Sequence, residues 1–449
     1  MSTQKNLVLS VNAGSSSLKI SLYSLSSRGN HDSPEPVNLL LTSSISSISA
    51  PPAKFSFHVL SNDHSQSDVK DEPVDRITDH SSAFSHFIET LEHQASIDRK
   101  RIAYICHRVV HGGDYSDPVQ INEESYHHIE KLSDLAPLHN GAALSVIKAC
   151  ISSLPDAKSV AYFDTAFHRS IPHHVACYAI DQKIANERGL KKYGFHGLSY
   201  SFIVRAVSRS LQKPIDTLNL IVLHLGSGAS ACAIKEGKSL DTSMGLTPLN
   251  GLPGATRSGA IDPSLIFHYT NRAGRITHDP AMATNIGAED ILNRKSGWKS
   301  ITGTTDFGVI LSKAQLDDPN PEIASHNPYR LAFDLFVDRI LNYIGSYHLK
   351  LHGDVDAIVF AGGIGEKGVE LRRIISEKLR CIGYRTIDRS KNEDAGKVED
   401  VVVDISMLPS GEHDSQGREK RILVCKTDEQ LEMARQNALD SNFWPENQS

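Results

Sequence analysis

Apolar and polar positions are patterned most clearly at the start of the chain. Leu7-Val-Leu-Ser-Val11 is a short apolar run, and beyond Asn12-Ala-Gly-Ser-Ser-Ser17 the residues Leu18, Ile20 and Leu22 alternate with Lys19, Ser21 and Tyr23. A run followed by a period of two predicts two strands joined by a tight hairpin. Further apolar runs at 102–106, 160–163, 220–225 and 357–361 predict strands as well. Helical spacing marks 81–94 through Phe84, Phe87, Ile88 and Leu91, and 331–351 through Leu335, Phe336, Ile340 and Tyr343. A third helix follows Gly362, carried by Val369, Leu371, Ile374, Ile375 and Leu379. Strands alternating with helices argue for α/β layers.

The first hairpin has a counterpart. Ile221-Val-Leu-His-Leu-Gly-Ser-Gly-Ala-Ser230 repeats its style, again with alternating residues behind it at 231–234, and suggests duplicated domains facing one nucleotide. Residues 24–82 are rich in Ser, Asp, His and Pro and are expected to be weakly ordered or inserted, with strand-like runs only at 37–41 and 55–60. Residues 409–420 have turn-forming, charged composition without an apolar period, so neither segment is a promising place for a catalytic group.

With 449 residues, two or three domains are expected. Apolar and charged fractions of 39% and 22% belong to a soluble globular protein, and a net charge of −6 without a local basic cluster argues against a nucleic-acid surface. Cys106, Cys150, Cys177, Cys232, Cys381 and Cys425 lie far apart with no C-x-x-C pair, and they read as buried thiols in a reducing compartment. Neither a signal peptide nor a membrane-spanning segment is expected from the apolar pattern. The 22 histidines include no H-e-x-x-H spacing, so His127-His128 and His173-His174 read as surface or capping residues. These features together predict a soluble, cytoplasmic protein.

The chemistry gathers at three glycine clusters that abut apolar strands. Asn12 to Lys19 offers backbone N–H groups, hydroxyls and an ammonium at one point, which suits the acceptor oxygens of a phosphate. Such a turn also occurs as a plain hairpin, and it is not a Walker A loop, which would read G-x-x-x-x-G-K-[ST] and open a helix. Gly226-Ser227-Gly228 forms the second cluster. The third, Gly362-Gly-Ile-Gly-Glu366, is expected to form a tight turn between a strand and a helix N-terminus, a natural cradle for a nucleotide. Arg108 after the strand at 102–106, Arg257 in Thr256-Arg-Ser-Gly259, His196 in Tyr193-Gly-Phe-His-Gly197 and Asp164 in Phe163-Asp-Thr-Ala-Phe-His168 flank these clusters. An arginine among small residues suits bidentate contact with a carboxylate or phosphate, although each one alone reads equally as a surface salt bridge or loop cap.

Taken together, these motifs resemble the acetate kinases, the acetokinase family of the superfamily that also holds sugar kinases and actin. The resemblance runs from Asn12–Lys19 through 107–113, 164–168, 193–197, 256–263 and 363–366 to Thr427-Asp-Glu429. It implies duplicated ribonuclease-H-like (actin-like ATPase) domains of α/β class with an interdomain active-site cleft. The expected division is 1–168, with the Ser-rich insertion at about 24–82 and joined by 431–449, against a nucleotide-binding and dimerisation domain at 169–430. The implied reaction is reversible, in-line transfer of the ATP γ-phosphoryl group to acetate with Mg²⁺, or Mn²⁺ in its place, in a homodimer that binds neither nucleic acid nor membrane.

The resemblance also assigns roles. Asn12, Ser15, Ser17 and Lys19 would form the first phosphate and metal-water hairpin, and Glu429 would help Asn12 hold the metal. Arg108 and Arg257 would flank the acetate carboxylate and the migrating phosphoryl group, with His196 donating to it and His139 on the phosphate path. Asp164 would orient substrate and metal shell. Val110, Leu138, Phe195 and Pro248 would wall the methyl pocket. Gly226, Ser227 and Gly228 would meet the phosphates, and Gly363, Ile364, Gly365 and Asp306 the adenosine. The chain departs from the family pattern at Ser227, Ala260 and Lys367. A kinase of propionate or butyrate is an alternative, since one methylene in an apolar pocket discriminates by only ~1–3 kcal/mol. Another is a nucleotide-driven switch of the same superfamily, which would not need Arg108, Arg257, Asp164 and His196 together.

Overall fold

The computed structural model describes residues 5–14, 16–26, 35–60, 68–132, 137–269, 286–318, 322, 326–407 and 420–444. The described strands are β1 (Leu7–Ala13), β2 (Ser17–Leu25), β3 (Val37–Ser46), β4 (Ala53–Val59), β5 (Val69–Val74), β6 (Ile102–Val109), β7 (Val119–Gln120), β8 (Lys158–Phe163), β9 (Leu220–Leu225), β10 (Ala229–Lys235), β11 (Lys238–Thr242), β12 (Ala357–Ala361), β13 (Val402–Asp404) and β14 (Arg421–Cys425). Helices flanking them include α1 (His80–Gln94), α2 (Pro137–Ser153), α3 (Gly197–Leu211), α4 (Pro328–Lys350), α5 (Gly362–Lys367), α6 (Val369–Leu379) and α7 (Glu429–Leu439).

The chain divides into two compact units. The first holds 1–167, 197–202 and 428–449, and the second holds 168–196 and 203–427. In the first unit the sheet order is β5-β4-β3-β2-β1-β6-β8-β7. β1 pairs antiparallel with β2 and parallel with β6, which pairs parallel with β8. In the second unit the order is β11-β10-β9-β12-β14-β13, with β9 antiparallel to β10 and parallel to β12, and β12 parallel to β14. The sequence β3-β2-β1-β6-β8 thus recurs as β11-β10-β9-β12-β14, the duplication that the paired hairpins predict and the ribonuclease-H-like order that the resemblance implies.

Burial explains why the central strands read as apolar runs. β1 is covered on both faces: Leu7, Leu9 and Val11 pack with Phe84, Phe87 and Leu91 of α1 and Val146 and Cys150 of α2, while Val8 packs with Met433 and Ala434 of α7. In the second unit Ile221, Leu223, Ile358, Phe360 and Val424 pack against Phe333, Phe336, Ile340 and Ile344 of α4. That helix starts at an Asn327 cap followed by Pro328, a residue already preset for the first helical turn.

Three expectations need correction. The segment 24–82 is not weakly ordered throughout: β3, β4 and β5 extend the first sheet, while 27–34 and 61–67 lie outside the described residues. Most of 409–420 lies outside them too. The serines of 24–82 alternate across β3, where Ser43 is buried and Ser44 exposed, so composition hid a period of two. The cysteines also differ: Cys106, Cys150, Cys232 and Cys425 are buried, but Cys177 is half-buried and Cys381 exposed. The third correction, at Gly362, belongs with the site.

Candidate active site

In both units the polar residues singled out above collect at the carboxyl ends of parallel strands, where α/β sheets bind their ligands. In the first unit Asn12 lies near the end of β1, Arg108 near the end of β6, and Asp164 directly after β8. β6 runs on through Val109, so Arg108 sits within the strand and not beyond it. Its guanidinium meets Asp164 side-on, with Nε donating to Oδ1 at 3.1 Å and Nη2 to Oδ2 at 2.5 Å. Nη1 donates to Asn12 Oδ1 at 3.3 Å, and Nε stands 3.3 Å from Glu429 Oε2. Glu429 opens α7 and also accepts from Asn12 Nδ2 at 2.8 Å and from Ser199 Oγ at 2.7 Å.

Asp164 is fully buried, whereas the Arg108 side chain keeps 16% of its surface exposed. Burial pulls the guanidinium pKa down, but the Asp164 and Glu429 carboxylates more than offset it and hold the group above its ordinary value. Arg108 is therefore a permanent cation whose position is set by two carboxylates and an amide. Lys19 pairs with Asn12 across the β1–β2 ladder and is exposed, and the Gly14 N–H donates to the Ser17 carbonyl at 2.8 Å to close the hairpin. Ser15 lies outside the described residues, as do the side chains of Leu138 and His139 on the first turn of α2. Val110 is half-buried.

The second unit builds its cluster on Gly226-Ser-Gly228, the turn between β9 and β10. A Cβ at Gly228 would lie 2.1 Å from Arg257 Nη2 and 3.8 Å from His196 Nε2, so only glycine lets the arginine reach the turn. The Arg257 loop is tied to the same turn, with Ala255 N–H donating to the Ser227 carbonyl at 2.8 Å. Ser227 itself is exposed at the tip. His196 adopts φ 61°, in the left-handed region, as the residue before α3, and its Nδ1 shares a 2.8 Å hydrogen bond with the buried Ser230 hydroxyl. Its ring lies 4.4 Å from that of His224. Phe195 and Pro248 are both buried.

The third glycine cluster is not a turn ahead of a helix. Gly362 begins α5, which ends at Lys367 before α6 starts at Val369. Gly362 has φ 73° and a Cβ there would meet the Leu225 backbone at 2.7 Å, so the start of α5 rests on the end of β9. At Gly363 a Cβ would meet nothing within 4 Å. Among the described residues no packing demands glycine there, so the main chain at Gly363 stands open. Asp306 caps a short helix at 307–313, its Oδ1 accepting from the Gly308 N–H at 2.8 Å.

Sequence reasoning missed Ser199 and Ser230, the two hydroxyls that hold Glu429 and His196. Ser230 follows the second glycine turn directly, a usable signal, but Ser199 has none. Among the described residues no three His, Cys, Asp or Glu side chains gather as a metal site, and no helix is long and apolar enough to cross a membrane.

Residues 7–435 match the model of the acetokinase family. A protein called a probable acetate kinase from Emericella nidulans is 50% identical over 95% of this chain and 96% of its own length. Among solved structures, a propionate kinase from Francisella tularensis superposes with a TM-score of 0.77 at 31% identity, covering 96% of this chain and 98% of its own. Porphyromonas gingivalis acetate kinase gives 0.75 at 28%, covering 97% and 100%.

Proposed function

The chain belongs to the acetokinase family, and from that premise we propose that it transfers the γ-phosphoryl group of ATP reversibly to acetate, giving acetyl phosphate and ADP. The observation that carries the proposal is the Arg108 guanidinium, aimed by Asp164, Asn12 and Glu429 at the carboxyl edge of three parallel strands.

Acetate and ATP are both anions, so their first obstacle is mutual repulsion. Arg108 and Arg257 act as the neutralising cations for the acetate carboxylate and the phosphoryl oxygens, the chief means of catalysis in phosphoryl transfer. His196 donates to a phosphoryl oxygen from Nε2; its Nδ1 can accept a hydrogen bond from the Ser230 hydroxyl, which keeps the ring in the donating tautomer. Acetate has no proton to lose near neutral pH, so no general base is required and Asp164 serves to orient Arg108. We assign the acetate methyl group to Val110 and Leu138 of the first unit and Phe195 and Pro248 of the second. The same reading assigns the phosphates to Lys19, Ser15, Ser17, His139 and the Gly226–Gly228 turn, and the adenosine to Gly363, Ile364, Gly365 and Asp306.

The oxygen donors of Asn12 and Glu429 fit Mg²⁺, or Mn²⁺ in its place, because such a cation takes one or two carboxylates and keeps water and phosphate for its other positions. When bound, the cation would shield charge on the phosphates. The protein acts as a cytoplasmic homodimer, a compartment supported by four buried, unpaired thiols.

The test is trapping of the acyl phosphate by hydroxylamine with ATP and Mg²⁺, run in parallel on acetate, propionate and butyrate. An acyl hydroxamate formed fastest with acetate is expected. Faster turnover of propionate would move the assignment to the longer acid, and no product with any acid would defeat it in favour of a nucleotide-driven switch.

A further inference from the structure

Arg372 is a buried charge that the proposed reaction leaves unused. It lies in the first turn of α6 with none of its surface exposed. Its Nε donates to Asn392 Oδ1 at 2.6 Å and its Nη2 to the Asn392 carbonyl at 2.7 Å. Its Nη1 donates to two main-chain carbonyls, Gly365 at 2.7 Å and Glu366 at 2.8 Å. All four acceptors are neutral. Burial draws the guanidinium pKa down to about 10, which still leaves it charged at neutral pH. A cation taken out of water without a carboxylate is costly to keep, and an apolar side chain would fill the same space more cheaply. Its retention calls for a task that needs a planar fork of donors.

That task is visible in what the fork holds. The last carbonyls of a helix have no partners within it, and Arg372 takes two of them at the end of α5, the helix that begins with Gly362 and Gly363. The remaining donors fasten the guanidinium to Asn392, whose Nδ2 donates in turn to the Val369 carbonyl at 3.0 Å. The start of α5 is fixed against the end of β9 by the close approach of Gly362 to Leu225. Six residues of helix span only about 9 Å, so a tilt at the Arg372 end is felt at Gly363.

We propose that Arg372 is the positioning residue of the nucleotide site, holding α5 in the orientation in which the open main chain at Gly363 meets the adenosine of ATP. The inference rests on the reading of Gly363 to Gly365 as nucleotide contacts given above. It is tested with the full chain as Arg372→Gln, Arg372→Lys and Asn392→Ala, measuring KM for each substrate, ATP binding by calorimetry and thermal unfolding. R372Q is expected to raise the ATP KM and Kd tenfold or more with the acetate KM unchanged. R372K, which keeps the charge but not the fork, is expected to recover only part of that loss. N392A leaves Arg372 in place and removes its side-chain anchor, so it should show the same ATP-selective defect even where R372Q fails to fold. Wild-type ATP affinity in folded N392A or R372Q, with only the melting temperature lowered, would overturn the positioning role. Failure of the wild-type protein to bind ATP would overturn the nucleotide reading beneath it, a distinct result.

Discussion

Arg108 and Arg257 share a proposed role but are held by different means, and their variants should part accordingly. Arg108 is the partner of a fully buried carboxylate, whereas Arg257 is admitted by the missing side chain of Gly228. Both Arg257→Ala and Arg108→Ala are expected to lower kcat by about 10²–10³-fold, the usual cost of losing one donor to a transition-state oxygen. Arg108→Ala should also cost about 3–5 kcal/mol of stability, because Asp164 is left charged and buried. Hydroxamate turnover and urea midpoints read the two effects separately, and wild-type rates in either folded variant would sink the two-arginine mechanism. Arg108 and Asp164 were singled out by their setting after apolar runs, and Arg257 by its small-residue loop. Ser199 was not, because a serine gains its role only when Glu429, far along the chain, arrives within 2.7 Å of it.

At the scale of elements, three similar glycine clusters are three different devices. Gly14 closes a hairpin, Gly228 clears a path for a guanidinium, and Gly362 starts a helix against a neighbouring strand. Gly228→Ala is therefore expected to mimic Arg257→Ala in turnover, since a methyl 2.1 Å from Nη2 displaces the arginine. Gly363→Ala meets no atom of the described residues, so its melting temperature should hold or rise slightly while the ATP KM increases. An unchanged ATP KM in Gly363→Ala would count against ligand approach at that position. Sequence periodicity located the central strands because they are buried on both faces. It undervalued β3 to β5, where only one face is apolar and serines mask the alternation, and it missed that glycines can begin α5, since propensity alone argues against it.

Across the whole molecule, the duplication was legible from the paired hairpins, and the crossings at 167 and 428 lie beside the expected limits at 168 and 431. The short excursion of 197–202 depends on tertiary contacts and leaves no mark in composition. Each unit also holds a histidine whose pKa burial lowers. Burial lowers His107 to about 3 in the first and His168 to about 4 in the second. Both are neutral in the fold, while the unfolded chain takes up a proton near 6.5. Below that value the unfolded state binds more protons, so stability is expected to fall as the pH drops from about 6.5 toward 4, each histidine contributing up to about 1.4 kcal/mol per pH unit. Urea midpoints measured between pH 7.5 and 4.5 should decline along that slope, with His107→Gln and His168→Gln each flattening it; a flat profile in the parent would contradict the buried, neutral assignment.

The return of α7 to the first sheet carries a consequence for biosynthesis. Translation delivers β1, β6 and β8 early, but Met433 and Ala434, which cover one face of β1, emerge from the ribosome more than four hundred residues after Val8. Glu429 arrives with them. Until then a nascent chain holds Asn12 and Arg108 without their shared carboxylate and leaves the Val8 face of β1 without Met433 and Ala434, so it needs shielding while the intervening residues are made.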